Sequence, residues 1–205
     1  MKETYTPKSP KLLVVEGNDD EGFFEKISKE IGIKDLQILS LGGAGEFDAP
    51  RLKAITQVHD FRTIVRSMAI VKDADEDAGR VFDSICSVLK VFDLPVPKKP
   101  MEFEGRGSIK VGVLIIPPKK NKGKLEDICL FSVQHLKEMT CIDSFFECIR
   151  TVADEFPKDL SKAKIKAFLA SRKESVPHLG VGVQKGYFSL DNKVFDGIKE
   201  FLRAM

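Results

Sequence analysis

The sequence has no tryptophan and only two tyrosines, while its 15 phenylalanines fall largely in helical patterns. Phenylalanines so placed read as core, so no exposed platform of the kind on which single-strand binders stack bases is indicated. Histidines are few and scattered, at 59, 135 and 178. Each reads as a helix-surface or loop residue rather than a ligand. The four cysteines, at 86, 129, 141 and 148, form no C-x-x-C pair, which argues against a zinc site. Each lies in an apolar helical context, where a free cysteine behaves as a small core residue. The first ten residues lack the apolar core of a signal peptide, so structural disulfides are not expected. No apolar run approaches the roughly 20 residues needed to span a bilayer. The expectation is a cytoplasmic protein with no membrane partner. Neither sign of charge dominates: the formal net charge is +2, so any basic footprint must be local. No Gly-x-x-x-x-Gly-Lys-Ser/Thr loop is present, and Gly42-Gly43-Ala44-Gly45 reads as a flexible turn. With no internal repeat, low-complexity segment or linker, residues 1–205 read as one domain.

What is present is an alternation of short apolar runs and helical patterns. Lys11–Val15 reads as a first strand. A helix follows over Glu21–Ile31, capped by Asp19 or Asp20, with Phe23, Phe24, Ile27 and Ile31 on its buried face and Gly32 at its stop. Leu36–Leu41 is a second strand, about Pro50–Phe61 a second helix, and Ser67–Val71 a third strand. The next helix starts near Asp77. Leu94–Glu104, with three prolines and four charges, reads as irregular or an edge, and Gly105-Arg106-Gly107 as a turn. Ile109–Ile116 is a nearly continuous apolar run, suited to a sheet covered on both faces. The order β-α-β-α-β-α-β over 11–116 implies an α/β fold: a mostly parallel sheet of four or more strands with helices on both sides. Leu125 opens a helix ending near Lys137. The remainder is a helical C-terminal extension: one helix lined by Ile142 to Phe156, a shorter one after a Ser161 cap, a loop over 172–192, and a terminal helix carrying Val194, Ile198, Phe201 and Leu202.

The chemistry concentrates where the third strand ends. Val71-Lys72-Asp73-Ala74-Asp75-Glu76-Asp77 places four acids within five residues. The first strand likewise runs into Glu16-Gly17-Asn18-Asp19-Asp20. In a parallel sheet, strand C-termini share one edge, where ligands bind, so Glu16 can face Asp73 and Asp75. Like charges held together cost stability unless a cation sits among them. A hard divalent ion, Mg²⁺ with Mn²⁺ as a substitute, takes such oxygen ligands. The competing reading is that these acids are solvated N-caps. Glu126 and Asp127 add a third acidic group beyond the Ile109–Ile116 strand, beside the basic run Lys119, Lys120, Lys122 and Lys124. Carboxylates that bind metal, next to lysines that bind phosphate, suit metal-assisted phosphoryl transfer, with one metal or two.

Val14-Val15-Glu16-Gly17-Asn18-Asp19-Asp20, followed by Val71-Lys72-Asp73-Ala74-Asp75-Glu76-Asp77-Ala78-Gly79, resembles the Toprim domain of topoisomerases, bacterial primases, RNase M5-type nucleases and OLD-family nucleases. The resemblance covers about residues 10–130. The rest of the chain, together with the stretch Gly123-Lys124-Leu125-Glu126-Asp127, is similar to small stand-alone Toprim-like proteins distantly related to the OLD nucleases. The resemblance implies that Glu16 is a metal ligand or general acid/base and that Asp73 and Asp75 are the Asp-x-Asp metal ligands. Asp75 and Asp77 are the alternative pair, because Gly79 follows Asp75 one residue later than in many members. Glu126 and Asp127 would complete a second metal site. Only Tyr5 and Tyr187 are available as tyrosine nucleophiles, which argues against a self-sufficient topoisomerase. The absence of a zinc module argues against a replicative primase, and the missing Walker loop means that the ATPase half of an OLD protein is not here. Three readings follow: a Mg²⁺-dependent nuclease with Lys120 and Lys124 on phosphate, a non-catalytic Toprim-like module acting through a protein partner, and a small-nucleotide phosphotransfer enzyme.

Overall fold

The computed structural model describes residues 5–42 and 49–205. Its strands are β1 (Lys11–Val15), β2 (Leu36–Ser40), β3 (Ser67–Asp73), β4 (Phe103–Arg106) and β5 (Ile109–Ile116), and its helices are α1 (Asn18–Glu30), α2 (Ala49–Thr56), α3 (Phe61–Ile64), α4 (Ala78–Val91), α5 (Leu125–Val133), α6 (Lys137–Val152), α7 (Leu160–Ala170), α8 (Leu179–Gln184) and α9 (Asp196–Arg203). The strands form one sheet in the order β2-β1-β3-β5-β4. Four run parallel, and β4 pairs antiparallel with β5. This is the mostly parallel α/β sheet expected from the alternation of runs.

The apolar runs are buried on both faces because successive side chains point to opposite sides. Leu13, Val15, Ala69, Val71, Leu114 and Ile116 pack with α1 and with helices of the C-terminal part. Leu12, Val14, Met68, Ile70, Val113 and Ile115 face the layer that holds α2, α3 and α4. Pairing of Val14 with Ile70, and of Ile70 with Val113, brings the C-terminal ends of β1, β3 and β5 to one edge. Among the described residues, no helix is long and apolar enough to cross a membrane.

Several local expectations shift. α1 begins at Asn18 after a Gly17 cap, so Asp19 and Asp20 lie inside its first turn. The second helix is two pieces, α2 and the short α3. The edge segment forms β4, whose hairpin turns at Gly107 with φ +64 rather than over Gly105–Gly107. α6 starts at Lys137 and stops at Val152, short of Phe156. Asp159, not Ser161, caps α7 by accepting from the Lys162 N–H. The loop over 172–192 contains α8. Cys86 and Cys129 are buried as expected, but Cys141 and Cys148 are exposed, because they lie off the α6 face that carries Met139, Ile142 and Phe146 inward. Most of the Gly42–Gly45 turn lies outside the described residues.

Candidate functional site

Two helix starts are built alike around the strand ends. Beyond β1, the Gly17 N–H donates to Asp20 Oδ2 at 3.0 Å. Beyond β5, the Lys124 N–H donates to Asp127 Oδ2 at 2.7 Å, and the Ser161 hydroxyl also donates to Asp127. A carboxylate in a first turn satisfies an unpaired backbone donor and meets the positive end of the helix dipole. Asp73, the last residue of β3, accepts the Leu125 N–H at 3.0 Å, which seats the start of α5 on the end of β3.

The acidic loop after β3 and the basic loop after β5 are clipped together. Asp75 and Gly123 exchange backbone hydrogen bonds of 3.0 and 2.9 Å. The Ala78 N–H donates to the Asn121 carbonyl at 2.8 Å, and Lys122 pairs with Glu76 at 2.7 Å. Asp75 takes a left-handed conformation, φ 49, one that aspartate tolerates better than most residues.

These elements enclose a cleft of about 720 Å³. Its far wall is α8. Gly180 meets Gly22 of α1 so closely that a Cβ on either would come within 2.9 Å of backbone atoms. Asp19 Oδ1 accepts the Gly180 N–H at 3.0 Å, and Gln184 Nε2 donates to the Gly22 carbonyl at 2.9 Å.

Inside the cleft the acids outnumber their partners. Glu16 pairs with Lys72 at 2.9 Å. Lys124 bridges Asp75 at 3.3 Å and Asp159 at 3.2 Å. Burial disfavours the Lys124 charge, but these two carboxylates outweigh it and raise its pKa. Burial lifts Asp20 to about 6 against the pull of the Gly17 N–H, and the charges of Glu16, Glu126 and Asp19 add to the rise. Asp73 is pushed well above the carboxylate range by burial, then by Asp20 and Glu126. Glu126 is raised too, chiefly by burial.

Of the residues singled out from sequence, Glu16, Asp73, Asp75, Glu126 and Lys124 line this cleft. The others are placed differently. Asp77 is the N-cap of α4, accepting the Arg80 N–H at 3.0 Å. Asp127 is occupied by the Lys124 N–H and Ser161. Lys120 stands over the Phe131 ring, 5.9 Å from its centroid, and is not in the cleft wall. The structure adds Asp20, Asp159, Lys162, His178 and α8 to the wall. Asp20 had a readable signal: it follows Glu16 by four residues in an acidic run. Among the described residues, no group of three or more Asp, Glu, His or Cys side chains is gathered so as to hold a metal ion as it stands. Glu16 is turned to Lys72, and Asp73 to the Leu125 N–H.

The family described as "Protein of unknown function (DUF3226)" matches residues 10–205. No curated protein matches the chain. Among solved structures, the C-terminal region of the Xanthomonas campestris pv. campestris OLD protein is similar, with 14% identity, 96% of this chain and 93% of that chain covered, and a TM-score of 0.48. The C-terminal region of the Burkholderia pseudomallei OLD protein is similar with 10% identity, 96% and 98% coverage, and the same TM-score of 0.48.

Proposed function

The chain belongs to the DUF3226 family of proteins of unknown function, and we propose that it is a Toprim-like protein performing Mg²⁺-dependent phosphoryl transfer on nucleic acid, most simply phosphodiester hydrolysis. One observation carries this reading. Glu16, Asp20, Asp73 and Glu126, from the ends of β1 and β3 and the first turns of α1 and α5, line one cleft at the strand C-termini. All four are half-buried oxygen donors of one charge, the donor set that suits a hard cation such as Mg²⁺ or Mn²⁺. These four residues would hold the ion once Glu16 turns from Lys72 and Asp73 from the Leu125 N–H, with Asp75 at the rim. A bound ion of this kind polarises a phosphate oxygen and lowers the pKa of an attacking water.

The chain's own residues supply the rest. Lys72 holds the Glu16 carboxylate at the cleft wall. Lys124, tied to Asp75 and Asp159, sets one ammonium at the rim where a phosphate would dock. The first turn of α5 fixes Asp73 through the Leu125 N–H. The sequence resemblance of the Glu16 and Asp73-x-Asp75 stretches to the Toprim signature supports the same roles.

Calorimetric titration with Mg²⁺ and Mn²⁺ tests the ion site. Saturable binding is expected in the wild type and is lost in Asp73→Asn/Asp75→Asn. Equal binding in both proteins would refute the site. Cleavage of labelled DNA or RNA strands, abolished by Glu16→Gln and by Asp73→Asn, tests the reaction. Turnover of free nucleotides alone would move the substrate to small molecules. A second reading, a module acting through a protein partner, draws on the ion pairs Lys72–Glu16 and Lys124–Asp75, which already balance part of the cleft's charge. Ion binding with no cleavage of any of these substrates would favour it.

A further inference from the structure

Three of the four lysines of the basic loop 117–124 have partners within the fold, and the fourth, Lys119, is exposed and does not line the cleft. Lys122 is held by Glu76 and Lys124 by Asp75 and Asp159, while Lys120 covers Phe131. Further cations beside the cleft lie on α7. Residues 158–173 carry six lysines or arginines and one acid. Among them, Lys164 is tied to Asp143 at 2.6 Å and Arg172 to Glu138 at 2.7 Å. Lys162 and Lys166 are exposed and have no carboxylate within 4 Å among the described residues, and Lys162 acts at longer range on Glu126 and Asp159. They stand one helical turn apart on α7, with about 5–6 Å expected between their Cβ atoms.

Both line a second groove of about 600 Å³ that shares Asp19, Glu126, Lys162, His178 and Leu179 with the acidic cleft. Its floor is apolar, with Ile165, Val176 and Leu179, and its rim carries Lys162, Lys166 and His178. We infer that this groove holds an unpaired stretch of nucleic-acid strand adjoining the reacting phosphate, with Lys162 and Lys166 on its phosphates and the apolar floor under a sugar or base. The inference rests on the nucleic-acid reading above and names the form of the substrate.

The chemistry favours an unpaired strand. A duplex turns sugars and phosphates outward and keeps its base faces stacked inside, so an apolar floor would gain nothing from it. An unpaired nucleotide offers both a charged backbone and an apolar face. The volume falls within the range of about 300–1,000 Å³ over which pockets enclose small molecules. Asp19 and Glu126 at the junction repel phosphate, so an approaching strand needs the α7 lysines on its other side.

The test is fluorescence anisotropy of a labelled single-stranded oligonucleotide and of its blunt duplex, across a KCl series. It uses wild type in EDTA and Asp73→Asn with Mg²⁺, each with and without Lys166→Ala, Lys166→Glu or Lys162→Ala. Lys90→Glu, on α4 across the sheet, controls for net charge. The single strand is expected to bind tighter than the duplex. Each lysine-to-alanine change is expected to reduce the salt slope by about 0.7 for every phosphate it leaves unneutralised, with Lys166→Glu weakening binding further and Lys90→Glu leaving it unchanged. Strand binding that ignores both lysines, or falls equally with Lys90→Glu, would overturn the inference while leaving the function reading intact. Duplex binding as tight as strand binding would overturn it as well. No binding of any nucleic acid would overturn the inference together with the proposed substrate, and the Mg²⁺ titration would still report the ion site separately.

Discussion

Asp20→Asn removes one charge from the most crowded part of the cleft and should stabilise the metal-free protein, in a pH-dependent way. The Asp20 pKa rises from 3.8 to about 6 because burial and the neighbouring charges of Glu16, Glu126 and Asp19 disfavour the anion. That rise corresponds to about 3 kcal/mol of unfavourable folding energy once the group is ionised. For a carboxyl raised in the folded state, this penalty is absent below pH 3.8, grows as pH climbs and is complete above about 6. An asparagine can still accept the Gly17 N–H through Oδ1, so the helix cap survives. Solvent at the half-buried site screens part of the effect. The variant should therefore exceed wild type by about 1–3 kcal/mol at pH 8 in EDTA, with the gap shrinking to about a third of that by pH 4.5 and closing below pH 3.8. Urea denaturation followed by far-ultraviolet circular dichroism is the assay, since the sequence offers no tryptophan to report by fluorescence. A variant less stable than wild type at pH 8, or a difference that ignores pH, would refute the reasoning.

Two further outcomes follow from the same geometry. Gly180→Ala would drive a methyl to 2.9 Å from the Asp19 carbonyl oxygen and 3.2 Å from the Gly22 Cα. Overpacking against backbone costs about 1–3 kcal/mol, so thermal melting should show a fall of roughly 3–10 °C, and an unchanged melting temperature would show that α1 and α8 pack more loosely than these distances imply. Lys72→Met removes the ammonium that competes for Glu16. It should tighten Mg²⁺ binding in calorimetry while lowering metal-free stability by about 1 kcal/mol; weaker Mg²⁺ binding would mean that Lys72 helps to form the site.

The frame was legible because its strands are continuous apolar runs. Lys11–Val15 and Ile109–Ile116 form over the spans their hydrophobicity marks, and β3 extends its run by only two residues. That Glu16, Asp73 and Asp75 line one cleft follows from strand ends meeting at one edge. α8 was hidden for a physical reason. Its six residues, Leu-Gly-Val-Gly-Val-Gln, contain two glycines and are too short to show a helical period. It is held by contacts with Asp19 and Gly22, about 160 positions away. The roles of Asp77 and Asp127 were obscured because an aspartate in an acidic run looks the same whether it caps a helix or faces a cleft. Only the accepted N–H bonds from Arg80 and Lys124 separate the two.

The closeness of Gly180 to Gly22 also bears on how the protein comes into being. During synthesis the amino-terminal part emerges first and can begin to fold while the rest is still being added. Glu16, Asp20 and Asp73 would then be in the open well before residue 180 has been translated. The far side of their chamber arrives late, and it can lie down only on a helix already wound with a bare glycine facing it. A nascent chain is thus without a finished chamber until residue 180 has emerged. A substitution at position 22 would be felt only when α8, about 160 residues further on, tries to dock.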